Sequence, residues 1–130
     1  EESHGCNDFI VLNCDDLVQI NLKKMPVNSI AVTHPRLPFG EINLVTYPEW
    51  KNEISSFNEK PLLKDKWVSC GWYHLNKDIY KYLPDKGDLE KDVFPKMAKK
   101  GLLKAFKYTG KWQTINTTKD YEDVIKEGLK

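Results

Sequence analysis

The sequence predicts an α/β layered protein built on a mixed sheet. Three observations carry that expectation. The continuous apolar run Phe9-Ile10-Val11-Leu12 reads as a buried strand of the kind found in parallel or mixed sheets. Strand and helix patterns then interleave along the chain, which is the signature of layered α/β organisation. Near the C-terminus, residues 88–100 place Leu89, Val93, Phe94 and Met97 at i, i+4, i+5 and i+8, a single helical face.

The elements follow in order. After the first strand, residues 17–25 are mixed and read as a short helix closed by Pro26. Residues 29–33 (SIAVT) form a second strand, and the two prolines of residues 34–40 (HPRLPFG) mark a loop. Residues 41–46 (EINLVT) alternate as a third strand, Tyr47-Pro48-Glu49 turns the chain, and residues 53–58 (EISSFN) form a fourth. Residues 67–75 (WVSCGWYHL) are the longest strand, and Gly71 inside it points to close approach by a backbone or a ligand. Residues 78–83 form a short helix stopped by Pro84. Asp88 caps the longer helix at its start, and Gly101 suits its C-terminal end. Residues 103–108 (LKAFKY) alternate as a strand. Thr117 or Thr118 caps a last helix with Tyr121, Val124 and Ile125 on its inner face. No repeat, low-complexity tract or linker interrupts the series, so residues 1–130 are expected to form one domain.

Composition excludes several classes. The 130 residues are 40% hydrophobic and 30% charged, a globular balance. No apolar run approaches the ~20 residues of a membrane span. Twenty basic residues face nineteen acidic ones, and Arg36 is the single arginine, so neither the field nor the side chains suit nucleic-acid binding. Cys6, Cys14 and Cys70 contain no C-x-x-C pair, which argues against a zinc ribbon and suits reduced cysteines in the cytoplasm.

Four places hold residues capable of chemistry. Asp15-Asp16 directly follows a strand, where ligands of open α/β sheets bind and where a carboxylate suits Mg²⁺; on pattern alone an Asx turn or helix cap is the commoner explanation, because aspartate is common after strands. In Glu59-Lys60-Pro61, the proline biases Lys60 towards an extended backbone. The glutamate can accept from sugar hydroxyls and the lysine can neutralise a phosphate, or the three form a charged turn. In Ser69-Cys70-Gly71-Trp72-Tyr73, Gly71 admits a sugar ring against the backbone and Tyr73 offers a hydroxyl or a stacking face; the alternative is aromatic core packing. Residues 111–117 (KWQTINT) crowd polar groups before a capped helix, with Asp120 closing a capping box.

The order of these pieces is more specific than any one of them. FIVLNCDDL, HPRLPFGEINLV, FNEKP, WVSCGWYHL and the stretch DLEKDVFPKMAKKGLLKAFKYTGKWQTINTTKDYEDV together resemble the sugar-1-phosphate nucleotidyltransferases, over about residues 9–125. The likeness is greatest to the branch that activates glucose or mannose. It implies a three-layer, Rossmann-like, mostly parallel mixed sheet that is incomplete here. It also implies transfer of a nucleotidyl group from a nucleoside triphosphate to a hexose 1-phosphate, with Mg²⁺ and release of pyrophosphate. By resemblance Asp15 is the metal-binding aspartate, Glu59 takes sugar hydroxyls, and Lys60 takes the sugar phosphate. Asp15 and Lys60 are the catalytic pair. Gly40, Ser69, Gly71 and Tyr73 line the sugar pocket.

The sequence departs from that pattern at several points. Thr114 stands where the family has a second metal aspartate, and Asn116 where it has a glycine. Ser69 replaces an asparagine and Cys14 a glycine. The glycine-rich G-x-G-T-R-L segment that grips the triphosphate is absent. The resemblance therefore implies a truncated chain matching the sugar-binding half, with a homodimer or a partner chain supplying the rest. Thr114 also leaves open a non-catalytic sugar-phosphate-binding or assembly module.

Overall fold

The computed structural model describes residues 7–128. The chain divides into two compact units. Residues up to 33 and from 69 onward make the first, and residues 34–68 the second.

The first unit is built on a four-stranded mixed sheet in the order β1-β6-β3-β7. Its strands are β1 (Asp8–Leu12), β3 (Ser29–Thr33), β6 (Val68–Asn76) and β7 (Lys104–Lys107). β1 runs antiparallel to β6, with Phe9 opposite Leu75 and Val11 opposite Tyr73. β3 runs parallel to β7, with Ala31 opposite Phe106. Alternation along the strands sends side chains to both faces. On one face Tyr73 and Leu75 join Ile79, Val93, Phe94 and Met97, with Phe9 and Val11 packed against them. Full burial of each large side chain of this group is worth about 1.5–3 kcal/mol. On the other face Ala31 and Cys70 join Met25 and Tyr108, flanked by Val18, Trp72 and Trp112. The expected layering is present, with helical segments on one side of the sheet.

The covering elements differ in detail from expectation. Residues 17–25 are not a helix. Asp16–Val18 form β2, which pairs antiparallel with β8 (Trp112–Thr114), and a single 3₁₀ turn follows at Leu22–Lys24. Two three-residue strands are too short to show a period, and only their mutual pairing defines them. The helix expected over residues 88–100 starts as a π turn (Leu89–Val93) and becomes α1 at Phe94–Lys99. Asp88 caps it through Glu90 N and Lys91 N, and Gly101 ends it at φ +69°, a left-handed conformation that glycine adopts without strain.

Helix α2 (Thr118–Glu127) is capped by Thr117 in a capping box with Asp120, as expected. Its expected inner face is not inner: Tyr121 and Ile125 are exposed and only Val124 is half-buried. Strand β1 is likewise not doubly buried. It ends the sheet order, and Leu12 is exposed.

The second unit is a hairpin with its flanking loops. β4 (Glu41–Leu44) pairs antiparallel with β5 (Ile54–Asn58) through a bulge after Asn43. Asn43 Nδ2 donates to Ser56 Oγ at 2.9 Å, and Ser55 Oγ donates to Asn43 O at 3.0 Å. A 3₁₀ turn at Glu49–Lys51 forms the tip. Among the described residues no helix is long and apolar enough to cross a membrane.

Candidate functional site

In the first unit the site forms where β1 ends. Leu12 leads into a turn, Asn13-Cys14-Asp15, before β2 begins at Asp16. Asn13 N donates to Gly71 O at 2.8 Å, which fixes the turn to β6. Asp15 is exposed, and its backbone oxygen accepts from Ile115 N at 2.8 Å. Asp16 faces Thr114 across the β2–β8 ribbon. Its carboxylate accepts from Trp112 Nε1 at 3.0 Å and from Asn13 Nδ2 at 3.1 Å, and its backbone oxygen accepts from Trp72 Nε1 at 3.1 Å. The two adjacent aspartates therefore differ: Asp15 points to solvent, and Asp16 is engaged by neighbours.

Gly71 makes this arrangement possible. Its φ is +76°, and a Cβ there would overlap Asp16 Oδ2 and lie 2.7 Å from Asn13 Nδ2. The close approach read from a glycine within the strand is thus approach by Asn13 and Asp16 side chains. Ser69 Oγ accepts from Gly71 N at 3.0 Å and lies 3.4 Å from Tyr73 Oη. Tyr73 is 2% exposed, so its ring belongs to the core and offers no stacking face. Its hydroxyl donates to Glu90 Oε1 at 2.6 Å. Burial, and then the Glu90 carboxylate, push the Tyr73 hydroxyl up to about 12. Burial, reinforced by the charge of Asp16, pushes the Cys70 thiol up to about 11 and makes it inert.

The second unit holds Gly40, Glu59 and Lys60. Gly40 carries the Phe57 ring close above its Cα, where a Cβ would meet Phe57 Cζ at 2.5 Å. Glu59 and Lys60 are exposed in the bend after β5. Lys60 is not extended, as the following proline would favour. It sits at φ +44°, in the left-handed region. Tertiary contacts hold it there: Arg36 Nη1 donates to Lys60 O at 2.8 Å, Leu37 N donates to Pro61 O at 3.0 Å, and Leu63 N donates to Pro35 O at 2.8 Å. A non-glycine residue in such a conformation costs of order 1–3 kcal/mol, and such strain concentrates at functional sites.

Asp15, Ser69, Gly71 and Tyr73 thus belong to one unit, and Gly40, Glu59 and Lys60 to the other. Sequence reasoning missed Asn13, Trp72, Glu90, Trp112 and the separate part played by Asp16. The adjacent acids were visible. Which one the indoles would engage depends on contacts 56 and 96 residues away. A shallow cavity of about 260 Å³ at the hairpin tip, lined by Leu44, Val45, Thr46, Glu49 and Asn52, contains none of these residues.

Among the described residues no three His, Cys, Asp or Glu side chains converge as a metal site. Mg²⁺ does not require that. It keeps several waters and uses one or two carboxylates beside substrate phosphates. Exposed Asp15 fits as a single carboxylate of that kind, whereas half-buried Asp16 is turned towards Trp112 and Asn13.

Three comparisons bear on this geometry. A family model described as nucleotidyl transferase matches residues 6–130. A mannose-1-phosphate guanyltransferase of Schizosaccharomyces pombe is 30% identical over 123 residues, covering 87% of this chain and 34% of the relative. A bifunctional sugar-1-phosphate nucleotidylyltransferase/acetyltransferase of Sulfurisphaera tokodaii is 31% identical over 117 residues, covering 85% of this chain and 28% of the relative. The chain therefore spans about a third of the length of these curated relatives. Among solved structures, HddC from Yersinia pseudotuberculosis superposes with a TM-score of 0.58 at 23% identity, over 93% of this chain and 55% of that one, a likeness of fold.

Proposed function

The chain belongs to the nucleotidyl transferase family, and on that premise we propose that it serves the sugar-phosphate side of nucleotide-sugar synthesis. The reaction is transfer of a nucleotidyl group to a hexose 1-phosphate. A sugar-phosphate oxygen attacks the α-phosphorus of a nucleoside triphosphate, a new P–O bond forms, and the bond to the β-phosphate breaks as pyrophosphate leaves. Such a transfer is catalysed mainly by positioning and charge stabilisation. Lys60 neutralises the sugar phosphate and Glu59 accepts from sugar hydroxyls. Asp15 would hold Mg²⁺, which when bound would supply charge neutralisation at the phosphates. The names of the relatives favour mannose 1-phosphate and a guanine nucleotide. Nucleoside triphosphate substrates and free thiols at Cys14 and Cys70 suit the cytoplasm.

The observation that most supports this reading is the pairing of the two family metal positions. The Asp15 turn is hydrogen-bonded to Ile115, directly after Thr114. Calorimetry with mannose 1-phosphate, with and without Mg²⁺, tests it. Asp15→Asn is expected to abolish the Mg²⁺ dependence, and Lys60→Ala to weaken binding roughly tenfold, about 1.4 kcal/mol. Binding that survives both substitutions unchanged would refute the assignment.

Thr114 favours a second reading, a non-catalytic sugar-phosphate-binding module. A hydroxyl is a poorer Mg²⁺ ligand than a carboxylate. Metal-independent binding without nucleotidyl transfer would support that reading. We further propose a homodimer. β1 ends its sheet among the described residues, and an edge strand can pair with another chain. A monodisperse monomer in light scattering across concentrations would exclude it.

A further inference from the structure

We propose that Asp16 is the positioning residue of the Asp15 turn, and that the indoles of Trp72 and Trp112 clamp it. The proposal rests on the reading of Asp15 as the metal carboxylate. Four contacts carry it. Trp112 Nε1 donates to Asp16 Oδ1 at 3.0 Å, Trp72 Nε1 donates to Asp16 O at 3.1 Å, and Asn13 Nδ2 donates to Asp16 Oδ2 at 3.1 Å. Ile115 N donates to Asp15 O at 2.8 Å.

Each donor comes from a different place. Trp72 lies on β6, Trp112 on β8, and Asn13 at the start of the turn itself. Together they fix both carboxylate oxygens and the peptide of Asp16. The peptide of Asp15 is then held between Asn13, anchored to Gly71 O, and Asp16, anchored to the two indoles. The space for Asp16 Oδ2 exists because residue 71 has no Cβ. A side chain used only as a surface charge needs no such niche.

This arrangement bears on Thr114. Asp16 is its register partner across the ribbon, so a carboxylate does lie opposite the position where the family likeness expects one. Each of its oxygens accepts a hydrogen bond that turns the carboxylate inward. It acts through Asp15, by orienting the turn. The indole N–H groups donate and cannot ligate a cation. The clamp therefore works in one direction, turning Asp16 inward and leaving Asp15 outward.

The experiment uses the full chain, Mn²⁺ as the metal probe and mannose 1-phosphate as the ligand. Mn²⁺ affinity is read by electron paramagnetic resonance, and order in the turn by amide exchange at Ile115. The native chain is compared with Asp15→Asn, Asp16→Asn, Trp112→Phe and the swap Asn13→Asp/Asp16→Asn. Loss of a group that orients a ligand typically costs 10–100-fold in metal affinity, so Asp16→Asn and Trp112→Phe should weaken Mn²⁺ at least ~10-fold. Both should speed Ile115 exchange, while exchange at core Ala31 stays as in the native chain. The swap reverses donor and acceptor between residues 13 and 16, so it should recover part of both losses.

The outcomes separate the two ideas. If Asp15→Asn leaves Mn²⁺ affinity unchanged, or the native chain takes up no Mn²⁺, the metal reading fails. Ile115 exchange alone then decides the clamp. Unchanged Ile115 exchange in Asp16→Asn overturns the proposal. So does faster exchange combined with native, Asp15-dependent Mn²⁺ affinity.

Discussion

Gly71→Ala is the most demanding test of the geometry around the Asp15 turn. The backbone there has φ +76°, which costs an L-residue roughly 1–2 kcal/mol. The new methyl would overlap Asp16 Oδ2 and crowd Asn13 Nδ2, and the buried strand leaves it no other direction. Asp16 must then leave Trp112 Nε1 or Asn13 Nδ2. A hydrogen bond to a charged group contributes about 1.5–3 kcal/mol. The total is about 2.5–5 kcal/mol. A chain of this length loses about 4 °C in Tm per kcal/mol, so Tm should fall by roughly 10–20 °C. Thermal unfolding followed by circular dichroism measures the drop. A double-mutant cycle with Asp16→Ala locates its cause, because removing the carboxylate removes the overlap. The double variant should therefore lose clearly less than the sum of the single losses. A Tm drop of under about 4 °C for Gly71→Ala, or strictly additive losses, would mean that Gly71 and Asp16 do not share this space.

Four further outcomes follow from other contacts. Tyr73→Phe deletes the donor to Glu90 and should cost about 1 kcal/mol, about 4 °C in Tm, measured by the same unfolding experiment. The Tyr73 hydroxyl is raised from 10.0 to about 12, so its contribution to stability is complete below pH 10 and is lost as pH rises towards 12; alkaline unfolding that is indifferent to Tyr73→Phe would contradict this. Alkylation of the native chain near neutral pH should label exposed Cys14 and spare Cys70, whose thiol is buried and pushed up to about 11; mass spectrometry of the digested chain reads both sites. Asp120 is held below its usual range, first by Thr117 and then by the Asn116 backbone. Its support for α2 is therefore present above the ordinary aspartate range and lost as pH falls through the lowered value; helical signal in Asp120→Asn should show less acid dependence than in the native chain.

Local chemistry makes several features legible in the sequence. Asp88, Gly101, Thr117 and Asp120 act where their cap signatures put them, because a cap depends on only a few neighbouring residues. The apolar face of Val93, Phe94 and Met97 is buried as its spacing required. Tyr121 and Ile125 obey the same periodicity and remain exposed, since a pattern can create an apolar face but cannot supply a partner for it. Lys60 shows the converse: proline chemistry favours an extended backbone, and three hydrogen bonds between residues 60–63 and the distant residues 35–37 override it.

The α/β class, the longer strands and the positions of the caps and of Gly71 are legible in the sequence, whereas the β2–β8 ribbon is not. Each legible feature follows from short-range sterics or from the period of apolar residues. Tertiary structure alone decided which of two adjacent aspartates faces solvent. Asp15 and Asp16 are equivalent as text, and they become different only when Trp72 and Trp112 arrive from other strands. The indole N–H groups need an acceptor, Gly71 leaves space for one carboxylate oxygen, and backbone geometry then turns the neighbouring side chain outward.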